Sequence, residues 1–224
     1  MIAMPPLSLE LDAAVPPPLT DLPAGLEEAC ATAPRDMAAT LAFALARVTA
    51  QDRRGVGLAL TRAWLNEHGR PYGPGLARFG RDEGVLLVVC RTEVEALWAM
   101  EQGLRSGGLS LMLGGIEGAD LTQTRRLDFA ARDGASAGVL LRTRTGDLSA
   151  ARRRWRIAAE ASGGDPDDVR APGPMRLMAE LTRSRGERPG VWMLEMEDET
   201  HRLRLADRLA GHGHGPVGRT ARAA

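Results

Sequence analysis

Five short, largely apolar runs are spaced along the first two thirds of the chain: LEEACA (26–31), VGLAL (56–60), VLLVVC (85–90), LSLML (109–113) and AGVLLR (137–142). They lack the strict alternation of a strand with one wet face, so they read as strands covered on both sides. Helical patterns separate them, and strand–helix alternation is the mark of a parallel α/β sheet. Met37, Leu41, Leu45 and Val48 form one helical stripe behind Asp36, a candidate N-cap. Thr92 and Glu95 form a capping box for a second helix, whose Val94, Leu97, Trp98 and Leu104 are expected to face inward and which Gly107 and Gly108 end. A third helix starts near Thr122 and stops at Gly134.

Beyond residue 148 the period changes to two. RRWRIAAE alternates around Trp155 and Ile157, and MRLMAELTRSRGERPGVWMLEME reads as two antiparallel strands around an RGERPG turn. The expected fold is therefore α/β, with a mostly parallel central sheet flanked by helices and antiparallel strands at its C-terminal edge. Three segments follow: a proline-rich N-terminal arm (1–23), one α/β domain (24–197) and a flexible Arg- and Gly-rich tail (198–224). LSLEL (7–11) in the arm alternates apolar and polar side chains and is a candidate edge strand.

With 224 residues and 44% hydrophobic side chains, the chain has enough apolar surface for one real core. Its 29 basic residues, all arginine, balance 29 acids, which removes the argument for a bulk polyanionic partner or a membrane surface. The charge is unevenly spread: residues 1–141 hold 13 arginines against 17 acids, and 142–224 hold 16 against 12. The absence of lysine excludes a Walker lysine, a Schiff-base lysine and a lysine general base. Cys30 and Cys90 lie in apolar runs without metal-ligand spacing and read as buried free thiols. No leader pattern and no apolar run of membrane-spanning length is present, so the expectation is a cytoplasmic protein.

CATAPRDMAATLAFAL (30–45) joins a strand to a helix, where phosphate-binding loops sit. Such a loop needs glycines for close backbone approach, a lysine for the β- and γ-oxygens and a hydroxyl for Mg²⁺. Laid on that pattern, Ala33 and Ala38 stand at the glycine positions, Ala39 at the lysine and Thr40 at the hydroxyl. The methyl groups obstruct approach, and Asp36 brings a carboxylate to the helix N-terminus that a phosphate would need. LSLMLGGIE ends in Gly114 and Gly115 where a metal-holding acid is required. The expectation is no ATPase, no cofactor and no catalytic or metal residue.

The order of elements resembles the RecA-like core. GLEEACATAPRDMAATLAFALA is similar to its strand, P-loop and helix with the active residues erased, and Thr61 and Arg62 stand near where its catalytic glutamate is expected. More specifically, LTRAWLNEHGRPYGPGLARFG (60–80), ALWAMEQGLRSG (96–107), GADLTQTRRL (118–127) and SAARRRWRIA (149–158) together resemble the ImuA family. The resemblance covers about residues 22–197. It implies a RecA-like, non-catalytic accessory protein of damage-induced mutagenesis and translesion synthesis. The implied partners are an ImuB-like polymerase homologue and, second, RecA, with homo-oligomerisation left open. A SulA-like cell-division inhibitor induced by DNA damage is the alternative.

Three other groups attract attention. Arg152, Arg153, Arg154, Arg156, Arg183 and Arg185 are candidate DNA or partner contacts. The plainer reading is a solvated edge with ion pairs to Glu160, Glu180 and Glu187, which the neutral overall charge favours. His212 and His214 are two apart in the tail and lack the further ligands a metal needs. His68 beside Glu67 has no nucleophile placed with it and reads as a turn residue.

Overall fold

All five apolar runs are strands, and the reason lies in how they stack. The structure, a computed structural model, describes residues 22–48, 52–77, 79, 84–144, 148–165, 168, 170–197 and 202–206. Nearly all of the proline-rich arm with its LSLEL, most of the C-terminal tail, and His212 and His214 lie outside the described residues.

The parallel half runs β1 (Gly25–Ala31), α1 (Met37–Ala46), β2 (Gly55–Thr61), α2 (Arg62–His68), α3 (Gly73–Ala77), β3 (Val85–Cys90), α4 (Glu93–Arg105), β4 (Leu109–Gly115), α5 (Leu121–Asp133) and β5 (Ala137–Arg142). Then follow β6 (Arg153–Glu160), β7 (Arg176–Ser184), β8 (Gly190–Met196) and β9 (Leu203–Leu205). They form one sheet in the order β3-β2-β4-β5-β1-β6-β7-β8-β9. Pairing is parallel from β3 through β6 and antiparallel from β6 to β9. The change of period near residue 148 thus marks the change of strand direction. β9 lies inside the segment assigned to the tail, so the sheet continues beyond residue 197.

Alternation along each strand sorts side chains between two helical layers. On one face Ala29, Val56, Leu58, Leu111 and Val139 pack with Met37 and Leu45 of α1 and Trp64 of α2. On the other, Leu26, Ala59, Met112 and Leu140 meet Ala96, Met100 and Leu104 of α4 and Leu127 and Ala130 of α5. A third cluster joins Phe43 of α1 to Trp155, Ile157, Leu181, Trp192 and Leu194 in the antiparallel half. Phe43 meets Trp155 edge-on at 5.2 Å. α1 therefore serves both halves, which explains why MAATLAFALA carries no charged residue.

Three expectations are corrected. β3 is the outermost strand, and Leu86 and Val89 are exposed rather than covered. On α4, Val94 and Trp98 are 71% and 64% exposed, because the stripe that meets the sheet is Ala96, Met100 and Leu104. The Thr92 cap accepts the Glu95 N–H at 3.2 Å as expected, but Glu95 reaches back to the Arg91 N–H and not to the cap itself. α4 ends before Gly107, whose φ of +66° reverses the chain. Among the described residues no helix is long and apolar enough to cross a membrane.

Candidate functional site

The turn after β1 is built around Asp36, though not as a helix cap. Pro34–Asp36 forms a single 3₁₀ turn ahead of α1. The Asp36 side chain makes no capping bond to α1, which corrects that expectation. Its carboxylate accepts the Ala33 N–H at 2.9 Å and, across the fold, the Ala159 N–H of β6 at 3.2 Å. Asp36 thus ties the turn to the strand on its far side while almost wholly buried. Thr40, fully buried, donates its hydroxyl to the Asp36 carbonyl at 2.9 Å. Ala39 packs in the cluster with Phe43 and Trp155, so a lysine at this position would have to bury its ammonium. Ala33 is half-buried and Ala38 is exposed. The backbone donor at Ala33 and the hydroxyl at Thr40 are both engaged within the protein.

The carboxyl end of β4, next in the sheet to β2, is filled by an aromatic ring. Thr61 caps α2, accepting the Trp64 N–H at 3.1 Å, and this turn lays the Trp64 indole on Gly115. A Cβ at Gly115 would come within 2.6 Å of Trp64 Cδ1, so a glycine is required for this packing. The position where the sequence lacks a metal-holding acid is therefore occupied by a side chain from the neighbouring βα unit. No group of three or more His, Cys, Asp or Glu able to hold a metal occurs among the described residues.

Two buried carboxylates on β1 went unremarked in the sequence, where LEEACA reads as an apolar run. Glu27 and Glu28 are consecutive, so they point to opposite faces, and parallel register sets them beside Arg153 and Arg154 of β6. Glu27 accepts from Arg47 Nη1 at 2.7 Å, from Arg153 Nη1 at 2.9 Å and from the Trp155 indole at 3.1 Å. Burial would raise its carboxyl, but the charges and hydrogen bonds of Arg47 and Arg153 hold it below the usual carboxylate range. The Arg47 guanidinium, 1% exposed, also lies over the Phe43 and Trp155 rings at 5.0 and 5.2 Å. On the opposite face Glu28, 0% exposed, meets Arg154 at 2.6 Å and Arg142 at 3.2 Å. The legible signal was the pairing of an EE doublet with an RR doublet in two strands.

The six candidate arginines are consequently dispersed. Arg153 is internal, bridging Glu27 and Glu187. The Glu187 carboxyl falls to about 2, first through its hydrogen bond from Arg153 and then through one from the Ser184 hydroxyl. Arg154 is largely covered against Glu28. Arg156 pairs with Glu180 at 3.2 Å in the open, whereas Arg183 and Arg185 donate to the Ser149 and Ala150 carbonyls. Arg152 is half-buried beside Gly25. Of the three expected acidic partners, Glu180 and Glu187 are engaged. Arg156, with Thr32, Thr143 and Arg144, lines a hollow of about 460 Å³ outside the carboxyl ends of β1 and β5, the side of a parallel sheet where ligands approach. Cys30 also lines it, but burial first and Glu28 second push its thiol up to about 11. Trp155 and Trp192 are buried as packing residues. The His68 ring packs on Trp64 at 4.8 Å and is mostly covered, not a solvated turn residue.

Across known proteins, the chain is 33% identical over 204 aligned residues to Protein ImuA of Caulobacter vibrioides, with the same figures in two strains. The match covers 84% of this chain and 80% of the relative. The chain belongs to the ImuA family. No protein-family model matches it. It is also similar to Cell division inhibitor SulA of Edwardsiella piscicida, 35% identical over 89 residues that cover 39% of this chain and 53% of that protein. Among solved structures, the crystal structure of SulA from Pseudomonas aeruginosa aligns with a TM-score of 0.43 and 23% identity, over 54% of this chain and 98% of that one. In this member of the ImuA family, the turn that resembles a P-loop is the one closed by Asp36.

Proposed function

We propose that the protein is a non-catalytic, RecA-like accessory factor of damage-induced mutagenesis and translesion DNA synthesis that works by contact with an ImuB-like polymerase homologue, with RecA as a second partner. The observation that carries this reading is the Asp36 carboxylate on the Ala33 and Ala159 N–H groups. It occupies, with its own charge, the place where a loop of this type would receive a phosphate. Trp64 lying over Gly115 supports the same reading from the other side of the site. Membership of the ImuA family supplies the process and the partner class.

Two measurements test it together. Calorimetry with ATP and Mg²⁺ is expected to give no heat of binding, and micromolar affinity would overturn the non-catalytic assignment. Affinity capture using purified ImuB-like polymerase homologue is expected to retain the protein, and the absence of any complex would overturn the partner assignment. The shorter match to a cell division inhibitor favours a second reading, action on cell division. Overproduction without DNA damage separates the two: normal cell length is expected, and filamentation would favour the division inhibitor.

A further inference from the structure

α1 is apolar on every side, yet it lies in an outer layer. A helix of that composition ordinarily has neighbours all round. Sheet and antiparallel strands cover its inner faces, while Ala38 is exposed and Leu41 and Ala42 are half-covered. Alongside them lies a pocket of about 240 Å³ whose other wall is aromatic: with Leu41 it is lined by Trp64, His68, Tyr72, Leu76 and Phe79. Tyr72, at the rim, is 74% exposed. Arg70 also borders it. Aromatic-lined apolar grooves of this kind accept extended proline-rich segments, whose rings stack on the aromatics and whose polyproline conformation loses little entropy on docking.

The chain carries such a segment at the right distance. Leu22 is fixed at the far end of α1, its N–H donating to the Arg47 carbonyl at 3.3 Å. VPPPLTD (15–21) leads directly into it. In polyproline geometry the four to six residues from Leu22 back to Pro18–Pro16 span about 12–19 Å at roughly 3.1 Å each. From Arg47 back to Leu41 and Ala38, α1 extends about 9–14 Å at roughly 1.5 Å per residue. The lengths match. Charge matches as well, since residues 1–21 hold Glu10, Asp12 and Asp21 and no basic residue, whereas Arg70 stands at the pocket. Tethering at Leu22 further makes the encounter intramolecular, with a high effective concentration.

We infer that Pro16–Leu19 of the same chain straps across α1 and fills the aromatic pocket between α1 and α2–α3. The pocket is thus a polyproline-binding site occupied in cis, and a proline-rich segment from elsewhere must displace the strap to enter.

The test uses the full chain in solution, with the Trp64 indole N–H, which has no partner among the described residues, as the reporter in proton–nitrogen spectra. Replacing Pro16, Pro17 and Pro18 together by serine is expected to shift the Trp64 signal, and Tyr72→Ala, an exposed change that spares folding, to shift it the same way. A synthetic peptide of residues 13–23 added to the triple-serine protein is expected to return the signal toward that of the parent. The parent itself should respond at least ten-fold more weakly to the same peptide, because its site is filled. Identical Trp64 signals in parent and triple-serine protein, or an equal peptide response in both, would overturn the inference. So would a Trp64 signal that changes on twenty-fold dilution of the parent, which would place the strap in a second copy.

Discussion

Glu27 and Glu28 differ from ordinary surface carboxylates because their partners come from other strands and helices already fixed by the core. Burying an ion pair is costly in desolvation, and removing one member leaves a charge with nothing to balance it. Glu28→Gln leaves Arg142 inside the sheet without its carboxylate, and a loss of about 3–5 kcal/mol is expected, read from the urea midpoint. Glu187 sits in the β7–β8 turn and is partly exposed, so Glu187→Gln should cost no more than about 1 kcal/mol near neutral pH. Its effect belongs to acid. The folded carboxyl lies near 2, below its ordinary 4.5, so its contribution is complete above about 4.5 and is lost as pH falls toward 2. The parent should therefore lose stability across that window more steeply than Glu187→Gln, as acid titrations of the two unfolding midpoints will show. Glu27, also held low, contributes to the same window in both proteins.

At the scale of elements, β2 and α2 decide what the neighbouring β4 can carry. Thr61 starts α2 immediately after β2, and the first turn places Trp64 on the end of β4. Gly115→Ala would drive a methyl to within 2.6 Å of the indole, and backbone on one side with a buried ring on the other leaves little room to adjust. A destabilisation of about 1–3 kcal/mol is expected from this overpacking, measured by thermal or urea unfolding. Trp64→Leu in the same chain should recover part of it, because the clash requires the ring. α4 offers the contrast. Its period was visible in EVEALWAMEQGLR, but its phase was set by the inter-helix and sheet contacts of Ala96, Met100 and Leu104, which turned Trp98 and Val94 outward.

For the whole molecule, the sheet is covered by helices on both faces in its parallel half, and α1 reaches over the antiparallel half from one side. Trp98 and Val94 therefore stand on an outer face with no contact in the core to lose. Trp98→Ala is expected to change folding stability by less than about 0.5 kcal/mol. If α4 contributes to the polymerase-homologue contact, it should nevertheless weaken capture of that partner by ten-fold or more, since exposed tryptophans commonly anchor interfaces. Equal capture by parent and variant would move the contact surface off α4.

The amino-acid sequence by itself determined the strands, their direction and the family. Apolar runs with helical spacers dictate a parallel α/β sheet, a period of two beyond residue 148 dictates antiparallel pairing, and both follow from local side-chain spacing. The four phrases spread over residues 60–158 carried the resemblance to the ImuA family. Tertiary structure alone decided which surface each side chain met. It brought an EE doublet beside an RR doublet 126 residues away, turned Asp36 from its helix toward Ala159, and dispersed six arginines that lie close in sequence. Spacing along a chain fixes how often a side chain recurs on a face; only the register between distant strands fixes what that face touches.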